Sequence, residues 1–399
     1  MQYIAGSVCP TESTRTPVRS AVDTRAYYRA RAARSTGTTR FTLRHRAVLD
    51  GYVKIQLEKG AFMATIYHDD DASLEAIRGE TIAILGYGNQ GSAQACNLRD
   101  SGLDVIVGNI ADAYGEAARR AGFQVLPIAE ASARASALFL LVPDEIMPEV
   151  YAHDVAPHLR PGQLLDFAHG YNIAFDLIVP PAFIDVVMIA PRMIGSGVRD
   201  SYLSGEGFPS FVGVHQDATG RAQARMLGLA KAMGSTRAGC LEMTLRDEAT
   251  LDLFTEQAFG PAFGRVMMSA IDTLVDAGYP PEAVLMELYL SGELAYSFLK
   301  IRELGMLKQH QLHSHTSQYG TISRSVRYGD LDPLLRQKMR ESLDEIRSGA
   351  FAKEWSSGRA DKLELLTQVR AMQANLPMTK WEDDTRRAFG IGDAKSTGS

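Results

Sequence analysis

One short run constrains this chain more than any other. Thr81-Ile82-Ala83-Ile84-Leu85 leads straight into Gly86-Tyr87-Gly88-Asn89-Gln90-Gly91, and a helical pattern follows to about Ser101. A buried strand that ends in G-x-G-x-x-G and opens a helix is the context in which those glycines carry chemistry. They permit a tight turn and let a pyrophosphate approach the backbone, while the helix N-terminus attracts the anion through its unpaired N–H groups. The six-residue pattern is weak alone, and a glycine turn without a ligand is the competing reading. The next strand, Asp104 to Gly108, completes a βαβ unit. Further short apolar runs at Leu138–Val142, Gln163–Ala168, Val186–Ala190 and Phe211–Val214 alternate with helical segments. That alternation predicts an α/β fold with a Rossmann-like, parallel, doubly wound sheet.

After about Cys240 the strand pattern stops, and Asp247 to Leu307 and Leu331 to Met372 carry helical spacing. The expected organisation is a nucleotide-binding domain over 63–240, an all-helical domain over 241–389 and a small polar tail over 390–399. A length of 399 residues accommodates two such domains. Residues 1–62 differ in composition, with nine Arg and two Lys against Glu12, Asp23, Asp50 and Glu58. Such a segment reads either as an organelle transit peptide or as an upstream extension with Met63 as the real start. Neither reading gives it a part in the chemistry.

Composition narrows the class. A net charge of -5 argues against a nucleic-acid partner. No apolar run approaches the ~18 residues that a membrane-spanning helix requires. Cys9, Cys96 and Cys240 lie far apart without a CxxC pair, as expected of a reducing compartment. The cytoplasm is the expected location, or an organelle if residues 1–62 are a transit peptide.

The helical half contains an acidic constellation. Asp252 and Glu256 stand at i and i+4, about 40° apart on one helix face. Glu287 and Glu293 lie on a second apolar segment, Ala283 to Leu299. Carboxylates rooted in apolar helices need a reason, because an unpaired buried charge is costly. Hard divalent cations supply one; exposed faces paired with Arg or Lys supply the other.

From Met63 to about Phe389 the chain resembles the short, bacterial and archaeal type of ketol-acid reductoisomerase. The resemblance rests on Met63-Ala-Thr-Ile-Tyr67, the glycine turn continued by Ser92-Ala93-Gln94-Ala95, Asn97-Leu98-Arg99-Asp100-Ser101-Gly102, Pro143-Asp144-Glu145 and Phe167-Ala168-His169-Gly170-Tyr171-Asn172-Ile173. It continues through Val214-His215-Gln216-Asp217-Ala218, Ser235-Thr236-Arg237-Ala238-Gly239, Asp252-Leu253-Phe254-Thr255-Glu256-Gln257, Ser317-Gln318-Tyr319-Gly320 and Phe351-Ala352-Lys353-Glu354-Trp355.

The resemblance implies a two-step reaction in one site. An alkyl group of a 2-aceto-2-hydroxy acid migrates, and the new 2-keto group then takes hydride from NAD(P)H. It also implies two Mg²⁺ ions and a homodimer with interlocking helical domains. Position by position, Asp252 would bridge the metals, Glu256 would ligate one, and Glu287 would help hold the other. Ser314 matches a substrate-contacting serine, and His169 matches a histidine near the nicotinamide. The resemblance further assigns Gly86, Tyr87, Gly88, Asn89, Gln90, Gly91, Pro143, Asp144, Glu145 and Gly195 to the cofactor.

Three departures stand out. The family's second glutamate falls at Ser291, and an ungapped count back from Tyr319-Gly320 places it at Glu293. An i to i+6 pair points about 240° apart in an ideal helix, so Glu293 needs a bulge or break, for which Gly292 is suited. A family lysine after Ala-Pro is Arg192, which keeps the charge but changes the shape. The Pro-Gly-His that usually follows becomes Ile194-Gly195-Ser196.

Cofactor choice should be set in Gly108-Asn109-Ile110-Ala111-Asp112-Ala113-Tyr114, near the end of the second strand. No Arg or Lys precedes Arg119, Ile110 cannot pair with a 2′-phosphate, and Asp112 would repel one. NADH is therefore favoured, with NADPH possible if Arg119 or Arg120 folds back; the bland reading of Asp112 is a helix cap. His310, His313 and His315 invite a zinc site, but without cysteines they read as a loop or site rim. Two rival functions remain: a reductase for another 2-oxo acid, motivated by Arg192 and Ser196, and a silent nucleotide-binding scaffold, motivated by the displaced Glu293.

Overall fold

A computed structural model describes residues 64–392. The Arg-rich segment 1–62, Met63 and the tail residues 393–399 lie outside the described residues.

Nine strands among the described residues form one sheet. They are β1 (Ile66–Tyr67), β2 (Thr81–Leu85), β3 (Asp104–Gly108), β4 (Gln124–Leu126), β5 (Ala137–Leu140), β6 (Leu164–Phe167), β7 (Asp185–Pro191), β8 (Ser210–Gln216) and β9 (Cys240–Glu242). The spatial order is β1-β9-β8-β7-β6-β5-β2-β3-β4. From β4 through β7 neighbouring strands are parallel. Winding proceeds from β2 toward β4 on one side and from β5 toward β7 on the other, so the ligand crevice lies outside the C-terminal ends of β2 and β5. The central strands β2, β5, β6 and β7 are mostly apolar because both sheet faces are covered there. Ile82, Ile84, Phe139, Val187 and Ile189 point to one core, and Ala83, Leu85, Leu138, Val186 and Met188 to the other.

The expectation of a parallel sheet needs correction in two places, the first being β1, which pairs antiparallel with β9. The second is β8, which runs antiparallel to β7, with Pro191 opposite Ser210. The cause lies in the helix Gly195–Ser204 between them, whose first residue abuts Asn89. The chain therefore leaves and re-enters the sheet at the same end, and the Arg192 N–H donates to the Pro209 carbonyl at 2.9 Å.

Beyond β9 the described chain is helical. The helix Leu245–Phe254 starts at Thr244, whose Oγ1 accepts from the Asp247 N–H, a common N-cap. Its ladder widens to i→i+5 bonding over Thr255–Phe259 and continues as the helix Gly260–Asp276. Leu253 joins Tyr171, Ile346 and Ala352 in a small core that ties this half to the sheet half. A second small core surrounds Ile271, Val284 and Leu285. The helices Glu293–Leu304, His315–Ser325 and Arg359–Gln373 contain no fully buried residue. Among the described residues, no helix is long and apolar enough to cross a membrane.

Candidate active site

The glycine turn forms a cradle at the end of β2. Gly86 has φ 100°, a conformation side chains rarely adopt. A Cβ on Gly91 would lie 2.0 Å from the Gly86 carbonyl oxygen, whereas one on Gly88 would meet nothing within 4 Å. The turn thus closes tightly beneath and opens outward at Gly88, where the helix Asn89–Asp100 begins. That shape fits a pyrophosphate resting on a helix N-terminus. Two expected cofactor contacts serve the walls of this cradle. Gln90 Nε2 donates to the Met193 carbonyl at 2.9 Å. Gly195 lets its helix approach Asn89, because a Cβ there would lie 2.0 Å from the Asn89 oxygen.

At the end of β3, Asn109 Oδ1 accepts from the Tyr87 N–H at 3.0 Å, linking this strand end to the glycine turn. Asp112 caps the helix Ala113–Arg120: its Oδ1 accepts from the Gly115 N–H and from Asn109 Nδ2, both at 2.8 Å. The capping role is therefore real, and Oδ2 accepts no hydrogen bond among the described residues. Ile110 is exposed beside it. Arg119 pairs with Glu116 further along the helix, at 2.6 Å.

The C-terminal ends of β6 and β7 bring a charged array to the same mouth. His169 follows β6, and Arg192 follows β7. His169 Nδ1 meets Asp144 Oδ2 at 2.7 Å, and its Nε2 lies 3.6 Å from Asp252 Oδ2 without a hydrogen-bond partner. Arg192 grips Asp252 Oδ1 and Glu248 Oε1, each at 2.8 Å. Glu248 is fully buried, and its other oxygen accepts from the Gly170 N–H at 2.7 Å. Asn172 Nδ2 donates to Asp144 Oδ1 at 3.1 Å. Asp144, expected beside the cofactor, thus spends its carboxylate on His169 and Asn172. Neighbouring Glu145 offers its carbonyl to Arg359, and Pro143 is exposed at the strand's end.

Electrostatics follow from this crowding. Burial opposes a charge on His169, but the Asp144 hydrogen bond and the carboxylates of Asp144, Glu248 and Asp252 outweigh it, raising the imidazole to about 9. Burial and the nearby Asp252 carboxylate push Glu256 upward. Burial likewise raises Glu248, against the counteracting His169, Gly170 N–H and Arg192. A half-buried carboxyl pushed upward by burial and by a neighbouring carboxylate is one that a divalent cation would relieve. Asp252 Oδ2 and Glu256 fit such an ion.

Glu248 escaped the sequence reading although its signal was present. It precedes Asp252 by four residues, so Glu248, Asp252 and Glu256 form an i, i+4, i+8 stripe. Other expected ligands stand apart. Glu287 lies in a second segment of i→i+5 bonding, Met286–Leu290, packed on the core around Ile271 and Leu285. The helix breaks after it: Gly292 has φ 84°, and exposed Glu293 opens the helix Glu293–Leu304. Ser314 is exposed and caps the helix His315–Ser325 by accepting from the Ser317 N–H. His313 Nε2 sits 2.6 Å from Gln309 Nε2, with the His310 ring 6.4 Å away, centroid to centroid. Among the described residues, no three His, Cys, Asp or Glu side chains of this one chain gather to hold a metal ion.

Residues 76–239 match the family model described as acetohydroxy acid isomeroreductase, NADPH-binding domain, and residues 245–390 match ketol-acid reductoisomerase, C-terminal domain. The chain belongs to the ketol-acid reductoisomerase family. It is an enzyme of the NAD(P)H-dependent oxidoreductase class with isomerase activity. It is 41% identical over 339 residues to a ketol-acid reductoisomerase (NADP(+)) of Methanopyrus kandleri, covering 83% of this chain and 100% of that relative. A relative of the same name from Pyrobaculum calidifontis is 44% identical over 296 residues, covering 73% of this chain and 89% of its own length. Among solved structures, an NADH-preferring ketol-acid reductoisomerase from an uncultured archaeon aligns with TM-score 0.76 and 34% identity, covering 81% of this chain and 98% of that one.

Proposed function

We propose that this member of the family converts 2-acetolactate or 2-aceto-2-hydroxybutanoate, by alkyl migration and NAD(P)H reduction, to the 2,3-dihydroxy-3-methyl acid of valine and isoleucine synthesis. The observation that carries this reading is the joined array of Asp144, His169, Asp252, Arg192 and Glu248 at the mouth of the dinucleotide cleft. His169 is oriented by Asp144 through Nδ1, and that carboxylate favours the protonated ring. It therefore holds a proton at Nε2, ready for a substrate oxygen. Asp252 Oδ2 and Glu256 would hold Mg²⁺, which when bound supplies a Lewis acid that polarises the acceptor carbonyl and stabilises developing oxyanion charge.

The site draws on a second copy of the chain in this reading. Large apolar side chains of the helical half are uncovered, among them Phe259, Phe263, Val266, Leu331 and Leu334. Monomers rarely leave so much contiguous apolar surface in water. A symmetric partner would cover it and supply Glu287, Glu293 and Ser314 to the array of its neighbour.

For the cofactor, the reading is NADH. The relatives above are named for NADP(+), while the structural neighbour prefers NADH. Exposed Ile110 and the acidic cap Asp112 offer a 2′-phosphate no cation at the end of β3, and Arg119 and Arg120 stand at the far end of the next helix, Arg119 paired with Glu116. Following nicotinamide oxidation with 2-acetolactate and Mg²⁺ tests the whole reading. Turnover that requires both is expected; cofactor binding without turnover would mark a silent scaffold.

A further inference from the structure

Arg192 occupies a place that a metal-binding carboxylate needs free. Its two terminal nitrogens hold Asp252 Oδ1 and Glu248 Oε1, each at 2.8 Å. Packing and charge oppose its swinging aside. Its guanidinium carbon lies 4.9 Å from the centre of the Phe211 ring. Above all, its partner Glu248 is fully buried, so withdrawing the guanidinium would strand a carboxylate in the interior. Asp252 consequently has one oxygen committed to Arg192, and the other faces His169 Nε2 at 3.6 Å.

A carboxylate that bridges two divalent ions must give one oxygen to each. Here Oδ2 together with Glu256 fits one ion, and Oδ1 does not fit a second. A planar guanidinium spans two carboxylates at once, whereas a lysine presents a single nitrogen. The helix break adds to the mismatch, because the left-handed Gly292 and a new helix start separate Glu287 from Glu293.

We propose that Arg192 is a resident cation at Asp252 and that each chain holds one divalent ion, the guanidinium standing where a second would bind. The proposal rests on the functional reading above, since it concerns the same carboxylates. It makes Arg192 a determinant of metal stoichiometry in this chain.

The test is calorimetric titration of the full chain with Mn²⁺, without substrate or nicotinamide, with 2-acetolactate turnover measured on the same preparation. One Mn²⁺ per chain is expected in the unaltered protein, and two in Arg192→Lys, whose flexible ammonium lacks the fixed fork that holds both carboxylates and so yields Asp252 Oδ1 to an ion. If Arg192→Lys does not fold, Arg192→Met combined with Glu248→Gln removes the pair together and should also admit a second ion. Two Mn²⁺ per chain in the unaltered protein, or one in every variant, overturns the proposal while turnover preserves the functional reading. No Mn²⁺ and no turnover overturns both.

Discussion

The sheet half and the helical half of this molecule solve the problem of burial differently. Around the sheet, Ile82, Leu85, Phe139, Leu165, Val187 and Met188 are entirely shielded by helices of the same chain. In the helical half the two cores are small, centred on Leu253 with Ile346 and on Ile271 with Leu285. Three of its helices bury no residue at all, while Phe263, Val266, Tyr296, Phe298 and Leu334 face outward. At roughly 25 cal/mol per Å² of apolar surface removed from water, the exposed apolar side chains of the second half leave stabilisation unrealised that the first half already has. The chemistry divides in the same way. The cofactor cradle and the His169–Arg192 array belong to the self-sufficient half and its first helix, whereas Glu287, Glu293 and Ser314 stand apart from that array on the less covered helical half.

The sharpest way to break this division is to remove charge from its seam. Asp252→Asn and Glu256→Gln should each lower turnover by about 10³-fold or more, with nicotinamide affinity measured by fluorescence essentially unchanged. A parallel loss of cofactor binding would show that the two sites are one unit. Next in size, Val266→Asp should place a charge on the uncovered apolar face. Light scattering should then report a monomer, and activity should fall by about 10²-fold as the site loses its partner. A fully active monomer would refute the shared site.

Cofactor selection tests the sheet half alone. NADH should exceed NADPH in kcat/KM, and Ile110→Arg with Asp112→Ser should shift that ratio toward NADPH by about tenfold. Serine is a sound replacement because it can still cap the helix. A wild-type preference for NADPH would defeat the reading of this loop.

The smallest effect concerns the core. Asp166 on β6 is fully buried, neither of its oxygens has a well-formed hydrogen bond, and burial raises it well above the ordinary carboxylate range against the nearby Ile189 N–H. Burial favours its protonated form in the fold, while in the unfolded chain it ionises above about pH 4. The folded state binds the extra proton, so its stability declines as pH rises through that value toward the raised one. Asp166→Leu should raise Tm at pH 7 by roughly 2–6 °C, from an orphaned polar group costing about 1–3 kcal/mol. The gain should shrink at pH 4.

How legible each part was depends on the range of the forces that build it. The Thr81–Gly91 turn is local: strand, glycines and helix start are contiguous, so the pattern and the structure coincide. The break at Gly292 was readable for the same reason, since one residue sets it. The reversal of β8 was not, because it depends on Gly195 seating against Asn89, far away in sequence. The bonds of Asp144 to His169 and Asn172 were not readable, because folding brings those residues from 25 and 28 positions away. Arg192 was visible as a substitution, yet its grip on Glu248 and Asp252 arises only when β7 and the Leu245–Phe254 helix meet. Glu248 could have been read from its four-residue spacing to Asp252, a signal the sequence offered plainly.

Mixing two inactive variants tests the central claim most directly. Asp252→Asn spoils the array of its own chain, and Glu287→Gln spoils what a chain lends to its neighbour. In a randomly mixed dimer population, about half the dimers are hybrids, each with one intact site and one doubly damaged site. Co-refolded or co-expressed chains should therefore recover about a quarter of the unaltered activity, although neither variant is active alone. Hybrids shown to form by mass spectrometry yet lacking activity would contradict a site built from two copies.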